Sequence, residues 1–459
     1  MKKKRILALL MAAAMTVSLA ACGGGESKSE GSEGEGGYDQ VTYAYATFNN
    51  IPAEEDLDTV EEAINEITRE KINVEVTLQP YSIADYPSKI PLALQGGEKV
   101  DIYQSLGDFN NYVSTDMAYD ITELLNECGQ GIVDTVGEEW LNACSKDGAI
   151  YGVPTMKPVA LTPMVIYRQD IVDELGIDMS TVSSMEDVTP VLEQVKEAYP
   201  DMYPLVTEAG GSLHNHLGND ELGDNFGVIV DIYNDDLVVE NLFTSDLFIN
   251  LCQQMWDWAQ EGLIMPDGAS NTDTANSLMA AGKAFARINT RKPGYENERS
   301  VQIGKEVVSL SFMEPFTMTD AVSTTYGWAI PYSSKHPEKA MQLLNMLYTN
   351  PELANIMCNG VENEHWVYTD ENKTNIKYPD GKTSANVGYG RVTYVQPNQQ
   401  ITIPWDGDPV DIWDQMDEFN RTAHASPAKG FVYDNSNVLN EVTACMNVKN
   451  KYWNGLLCG

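Results

Sequence analysis

Four polar residues stand where a strand hands over to a helix. Asn49 and Asn50 follow the run Val41-Thr42-Tyr43-Ala44-Tyr45-Ala46, and Asp108 and Asn110 follow Val100-Asp101-Ile102-Tyr103. Amide and carboxylate side chains at such points can hydrogen-bond a small polar ligand, and they can equally cap a helix or close a turn. They are not the equipment of a catalyst. Of the five histidines, only two cluster, in His214-Asn215-His216, which is too sparse for zinc. Asp370-Glu371-Asn372-Lys373-Thr374-Asn375 begins like a calcium loop. It lacks the glycine at the sixth position and has Gly381 where the closing Glu belongs, so a hairpin turn is the better reading. No GxSxG elbow and no GxxxxGK[ST] phosphate loop occurs, and no GxGxxG joins a strand to a helix. The 68 acidic residues single out no carboxylate pair. Binding without metal or cofactor is the expectation.

The elements that must position these residues alternate. A helix over 56–71 carries Leu57, Val60, Ile64 and Ile67 on one stripe, and Ile72-Asn73-Val74-Glu75-Val76-Thr77-Leu78 reads as a second strand. Pro87 to Gln95 forms a further helix, stopped by Gly96-Gly97, before the third strand at Val100–Tyr103. This β-α-β-α-β order predicts an α/β fold with a mostly parallel sheet, whose ligands sit beyond the carboxyl ends of its strands. Further strands are expected at 161–167, 284–288, 307–312 and 326–331, and further helices at 185–199, 243–260 and 337–348.

The net charge of −39 is spread along the chain and disfavours nucleic acid and anionic lipid as partners. No run after the first residues is long enough to span a bilayer. At the start, Lys2-Lys3-Lys4-Arg5 precedes an uncharged apolar stretch, Ile6 to Ala21. That is the pattern of a secretory signal. Leu19-Ala20-Ala21-Cys22 resembles the lipobox of bacterial lipoproteins, which implies cleavage before Cys22 and a lipid on its sulfur. Cys22 to Gly37 is Gly, Ser and Glu, a flexible tether spanning very roughly 20–25 Å. Cys128, Cys144, Cys252, Cys358, Cys445 and Cys458 form no CxxC, and both disulfides and free buried thiols fit an exported chain.

Several stretches, in order, resemble the family 1 extracellular solute-binding proteins of ABC importers. They are Tyr151-Gly152-Val153-Pro154, Ile166-Tyr167-Arg168-Gln169-Asp170 with Glu174-Leu175-Gly176-Ile177, Ala281-Gly282-Lys283-Ala284-Phe285-Ala286, and Tyr326-Gly327-Trp328-Ala329-Ile330 with Lys335-His336-Pro337-Glu338-Lys339-Ala340. Gly360-Val361-Glu362-Asn363-Glu364-His365-Trp366, Asn398-Gln399 and Ser426-Pro427-Ala428-Lys429-Gly430-Phe431-Val432-Tyr433-Asp434 resemble the tail of one lipoprotein subgroup. His214–His216 and the acidic run Asn219–Asp224 match no such motif.

The resemblance implies a type II periplasmic-binding fold, two lobes joined by crossing hinge strands, with a carbohydrate in the cleft. It implies separate ABC permease subunits as partners, a monomer, and a location on the outer face of the cytoplasmic membrane of a Gram-positive cell. The implied lobes are 38–157 with 289–325, and 158–288 with 326–459. Sugar sites combine polar edges with aromatic faces, so Tyr326, Trp328, Trp366 and Trp405 join Asp406, Arg287, Asn49, Asn50, Asp108 and Asn110 as candidate contacts. For Trp328 and the tail aromatics, core packing is the competing role. A surface-anchored glycoside hydrolase and a ligand-sensing partner of a sensor kinase are the alternatives.

Cys22→Ala should abolish palmitate labelling and move the protein from the membrane fraction into the culture medium. Retention of label in that variant would refute the anchor.

Overall fold

The computed structural model describes residues 37–106, 109–207, 218–222, 226–271, 273–318, 327–384, 386–429, 431 and 436–459. The signal, Cys22 and the tether as far as residue 36 lie outside these residues, as do Asp108, His214–His216 and Tyr326.

The first lobe grows from strand Asp39–Thr47, whose residues from Val41 onward are all buried, as expected at the centre of a sheet covered on both faces. It runs parallel to strand Val74–Ser82, in register from Asp39 opposite Val74 to Thr47 opposite Ser82. The intervening helix, Glu54–Ile72, places Glu54, Glu55 and Asp56 in its first turn and Arg69 and Lys71 in its last. Those charges oppose the helix dipole at both ends. Asn73 ends it in the left-handed region, a conformation Asn tolerates. Tyr43 bridges Ile102 in parallel, and strand Tyr103–Gln104 then pairs antiparallel with Gly327–Ala329. That strand in turn pairs with Val153–Pro154. Helices Pro337–Thr349 and Pro351–Asn359 bury Leu343, Leu344, Leu347 and Leu353 against this sheet.

The second lobe has its own four-stranded sheet, in the order Val307–Ser311, Thr162–Arg168, Ala284–Arg291, Tyr203–Val206. Helices Thr189–Ala198 and Asp246–Gln260 cover it. The last helix, Leu439–Leu457, returns to this lobe and stacks Trp453 on Phe248 at 5.8 Å.

The division of the chain differs from the expected one in both tails. Residues 289–311 stay in the second lobe, because Ala284–Arg291 is one strand paired with Thr162–Arg168, which Val307–Ser311 flanks on its other edge. Residues 327–395 belong to the first lobe, because Gly327–Ala329 is inserted between strands of the first sheet, and Tyr389, Val392 and Val395 join the core around Tyr43 and Tyr45. Both departures are long-range pairings, which local sequence pattern does not encode.

Among the described residues, the lobes are linked through the segment after Val153–Pro154 and the segment around helix Ile412–Thr422. These links are tied to one another. The Met156 amide donates to Pro397 O (2.8 Å), Leu161 and Phe316 exchange backbone bonds of 2.9 Å, and Phe316 pairs with His424. Asn420 is the central tie: its Oδ1 accepts from the Val159 and Ala160 amides at 2.9 and 3.1 Å, and its Nδ2 donates to Lys157 O at 2.9 Å.

The six cysteines beyond Cys22 are free thiols. Burial pushes the thiols of Cys144 and Cys358 up to about 12, so both remain protonated and inert. The expected hairpin at 370–375 is present, closing strands Val367–Tyr368 and Ile376–Lys377 with the Asn372 amide bonded to Asp370 Oδ1 at 2.8 Å. Among the described residues, no helix is long and apolar enough to cross a membrane.

Asn420→Ala strands two link amides and one carbonyl, and should cost about 1–3 kcal/mol. The cost is read as a lower urea midpoint. Asn420→Asp keeps the acceptor and should recover part of the loss.

Candidate functional site

At the carboxyl end of strand Asp39–Thr47 the chain turns outward. Phe48 is 60% exposed, Asn50 is exposed and Asn49 is half-buried. The Asn49 amide donates to Thr47 Oγ1 (3.1 Å), and its Nδ2 donates to Arg391 O (2.7 Å). Gly390 permits this approach, since a Cβ there would lie 2.9 Å from Asn49 Cγ. On the other side, the Arg391 amide donates to the Tyr378 hydroxyl at 3.3 Å. The Arg391 backbone is thus clamped from both sides.

Its guanidinium lies 5.1 Å from the centroid of the Trp405 ring, a cation–π arrangement. Tyr378 meets the same indole edge-on at 4.6 Å, and Trp405 Nε1 donates to Asn359 Oδ1 at 3.0 Å. The indole is therefore fixed before anything binds.

Helix Tyr295–Ile303 of the second lobe faces this cluster. Asn297 Nδ2 donates to Asp408 Oδ1 at 3.0 Å, and Asn375 Nδ2 from the first lobe donates to Asp408 O at 2.9 Å. Glu298 pairs with Lys292 at 3.0 Å and Arg299 at 3.1 Å. Burial would raise the Glu298 carboxyl, but these two cations outweigh it and hold the carboxyl low. Asp408 goes the other way: burial raises it, and its bond to Asn297 and the charge of Arg391 only partly offset that. Burial weakens the proton affinity of Arg391, with Asp408 and then Glu298 opposing it. The result is a seam of donors, acceptors and one aromatic face, contributed by both lobes.

Of the expected contacts, Asn49, Trp405 and Asp406 fall in this seam, Asp406 exposed. Asn110 lies in the short helix Phe109–Ser114. Trp328 is corrected to a core residue, with no exposed surface and its ring stacked on Tyr43 at 4.7 Å. Trp366 is likewise buried, its Nε1 donating to Gly360 O at 3.0 Å. Arg287 is buried inside the second lobe, where its Nη1 donates to Asn276 Oδ1 at 3.0 Å. In each case tight sheet or tail packing consumes the side chain. Arg391, Tyr378, Asp408 and Glu298 were not legible in the sequence. They lie in irregular segments or, for Glu298, on helix Tyr295–Ile303, and only folding brings them together.

The model of the family described as bacterial extracellular solute-binding protein matches residues 62–361. A carbohydrate ABC transporter substrate-binding protein of Streptococcus pneumoniae serotype 4 is 26% identical over 98% of this chain and 90% of its own length. The crystal structure of the N-glycan transport solute binding protein of Streptococcus pneumoniae superposes with a TM-score of 0.79 at 23% identity, covering 91% of this chain and 90% of that one. The same protein in complex with Man5GlcNAc gives 0.69 at 23% identity, with the same coverage of both chains. The two-lobed α/β architecture is shared with these structures.

The two tryptophans should separate by measurement. Trp328→Ala should cost about 3–5 kcal/mol of folding stability, read by chemical denaturation. Trp405→Ala, at a half-exposed ring, should cost well under that while weakening ligand binding in calorimetry.

Proposed function

The chain belongs to the bacterial extracellular solute-binding proteins, and we propose that it captures an oligosaccharide between its lobes and delivers it to the permease of an ABC importer. The observation that carries this reading is the seam, where Trp405 and Arg391 of the first lobe face helix Tyr295–Ile303 of the second. A sugar offers hydroxyl edges and an apolar face, which match such a mixture of polar groups and indole. A ligand that touches both lobes binds the closed arrangement better than the open one, so it shifts the population toward closure. The permease then reads the closed form. No bond in the ligand is made or broken.

The similarity to a carbohydrate transporter component over almost the full chain supports a sugar over a peptide. The structural neighbour crystallised with Man1GlcNAc and Man5GlcNAc makes mannose–GlcNAc oligosaccharides the first ligands to try. Lipid on Cys22 and the tether over 22–37 would hold a monomer at the outer membrane face, within reach of the permease.

Thermal shift of the full chain against mannose–GlcNAc, acidic and branched oligosaccharides, with peptides as controls, tests the reading. Ligand at about 100 times its Kd adds about 2.7 kcal/mol to the folded state, a rise of several degrees in Tm. A shift with one glycan class, recovered intact, is expected. Recovery of cleaved glycan would replace transport with hydrolysis. A shift with peptides alone would overturn the sugar.

A further inference from the structure

Arg391 carries a side chain that is costly as it stands, and unlike Arg299, whose Nε is also unpartnered, it has no salt bridge among the described residues to offset that. Its Nε is buried and has no hydrogen-bond partner. Its guanidinium forms no ion pair among the described residues, although Asp408 and Glu298 are the charges it feels most strongly. Those two carboxylates are engaged elsewhere, Asp408 by Asn297 and Glu298 by Lys292 and Arg299. A desolvated N–H without an acceptor is unfavourable, and native structures rarely keep one without a use. Flexibility does not explain it, because Asn49 and Tyr378 clamp the backbone and Trp405 supports the guanidinium plane.

We propose that Arg391 and Asp408 grip adjacent hydroxyls of one sugar residue, and that this pair selects neutral over anionic glycans. The inference rests on the sugar-binding reading above and names which sugars the site accepts. A hydroxyl both donates and accepts. One hydroxyl can accept a hydrogen bond from the Arg391 fork while its neighbour donates one to Asp408, which satisfies both side chains at once. A carboxylate only accepts. It would pair with Arg391 but would meet Asp408 and the exposed Asp406 as like charges, while Glu298 is already neutralised by Lys292 and Arg299. The overall charge of −39 adds to that repulsion at low salt. Arg suits this role better than Lys, because its planar fork fixes two donors toward a pair of acceptors.

Calorimetry of the full chain with a mannose–GlcNAc oligosaccharide, and with the same glycan ending in a uronic acid, decides the matter. The wild type should bind the neutral glycan more tightly. Arg391→Gln should weaken neutral binding by about 10- to 100-fold without lowering the Tm of the free protein. Arg391→Lys should recover little of it. Asp408→Asn should improve the acid-terminated glycan relative to the neutral one by roughly three- to tenfold. A wild type that prefers the acidic glycan overturns the proposal. So does an Arg391→Gln variant with wild-type affinity, or one that loses Tm but not affinity; both leave the sugar-binding reading intact. A wild type that binds neither glycan nor any other in the thermal-shift panel overturns that reading, and this inference with it.

Discussion

The stack of Trp328 on Tyr43 is the contact on which the first lobe turns. Gly327–Ala329 enters the sheet more than 200 residues after Tyr103–Gln104, its antiparallel neighbour, and its indole closes on the central tyrosine at 4.7 Å. Around it, other buried tyrosines keep their hydroxyls paired: Tyr43 donates to Gln396 Oε1 (2.7 Å), Tyr348 to Pro154 O (2.8 Å) and Tyr389 to Met357 O (2.8 Å). Burial raises these phenols well above their ordinary range, so each remains a donor at any physiological pH. The network ties the N-terminal strands to the segment after residue 327, and so makes one lobe from two distant parts of the chain.

That closure has a consequence for the links between lobes. Because the chain leaves the first lobe and returns to it, the described parts of the connecting segments are bonded to one another, Leu161 to Phe316 and Asn420 to residues 157–160. Asn420 and Asn398 use their amides as small brackets there, Asn398 donating to Tyr348 O at 2.9 Å. The clamped backbone of Arg391 and the tethered indole of Trp405 are held by bonds within the chain, and recognition gains most from groups already held in place.

Much of the local structure was legible in the residues. The stripe Leu57, Val60, Ile64 and Ile67 marked the helix now found at Glu54–Ile72, and the alternation from Ile72 marked strand Val74–Ser82. Asn49 drew notice for a general reason, its place at the carboxyl end of a strand in an α/β sheet, and the structure puts it against the Arg391 backbone. Trp328 misled because an aromatic in a linking strand has the same sequence signature whether it lines a cleft or packs a core. Arg287 misled similarly, as a strand-end cation that turned out to be bonded to Asn276.

What the sequence determined by itself was the set of elements, their α/β order and the acidic composition. These follow from periodicity, capping and composition, which act over a few residues. Tertiary structure alone decided which lobe each tail joins, which aromatics are core, and that Arg391, Trp405, Asp408 and Glu298 meet. Those outcomes depend on pairings across hundreds of residues. Their free energy lies in burial and in contact between side chains that no local window contains.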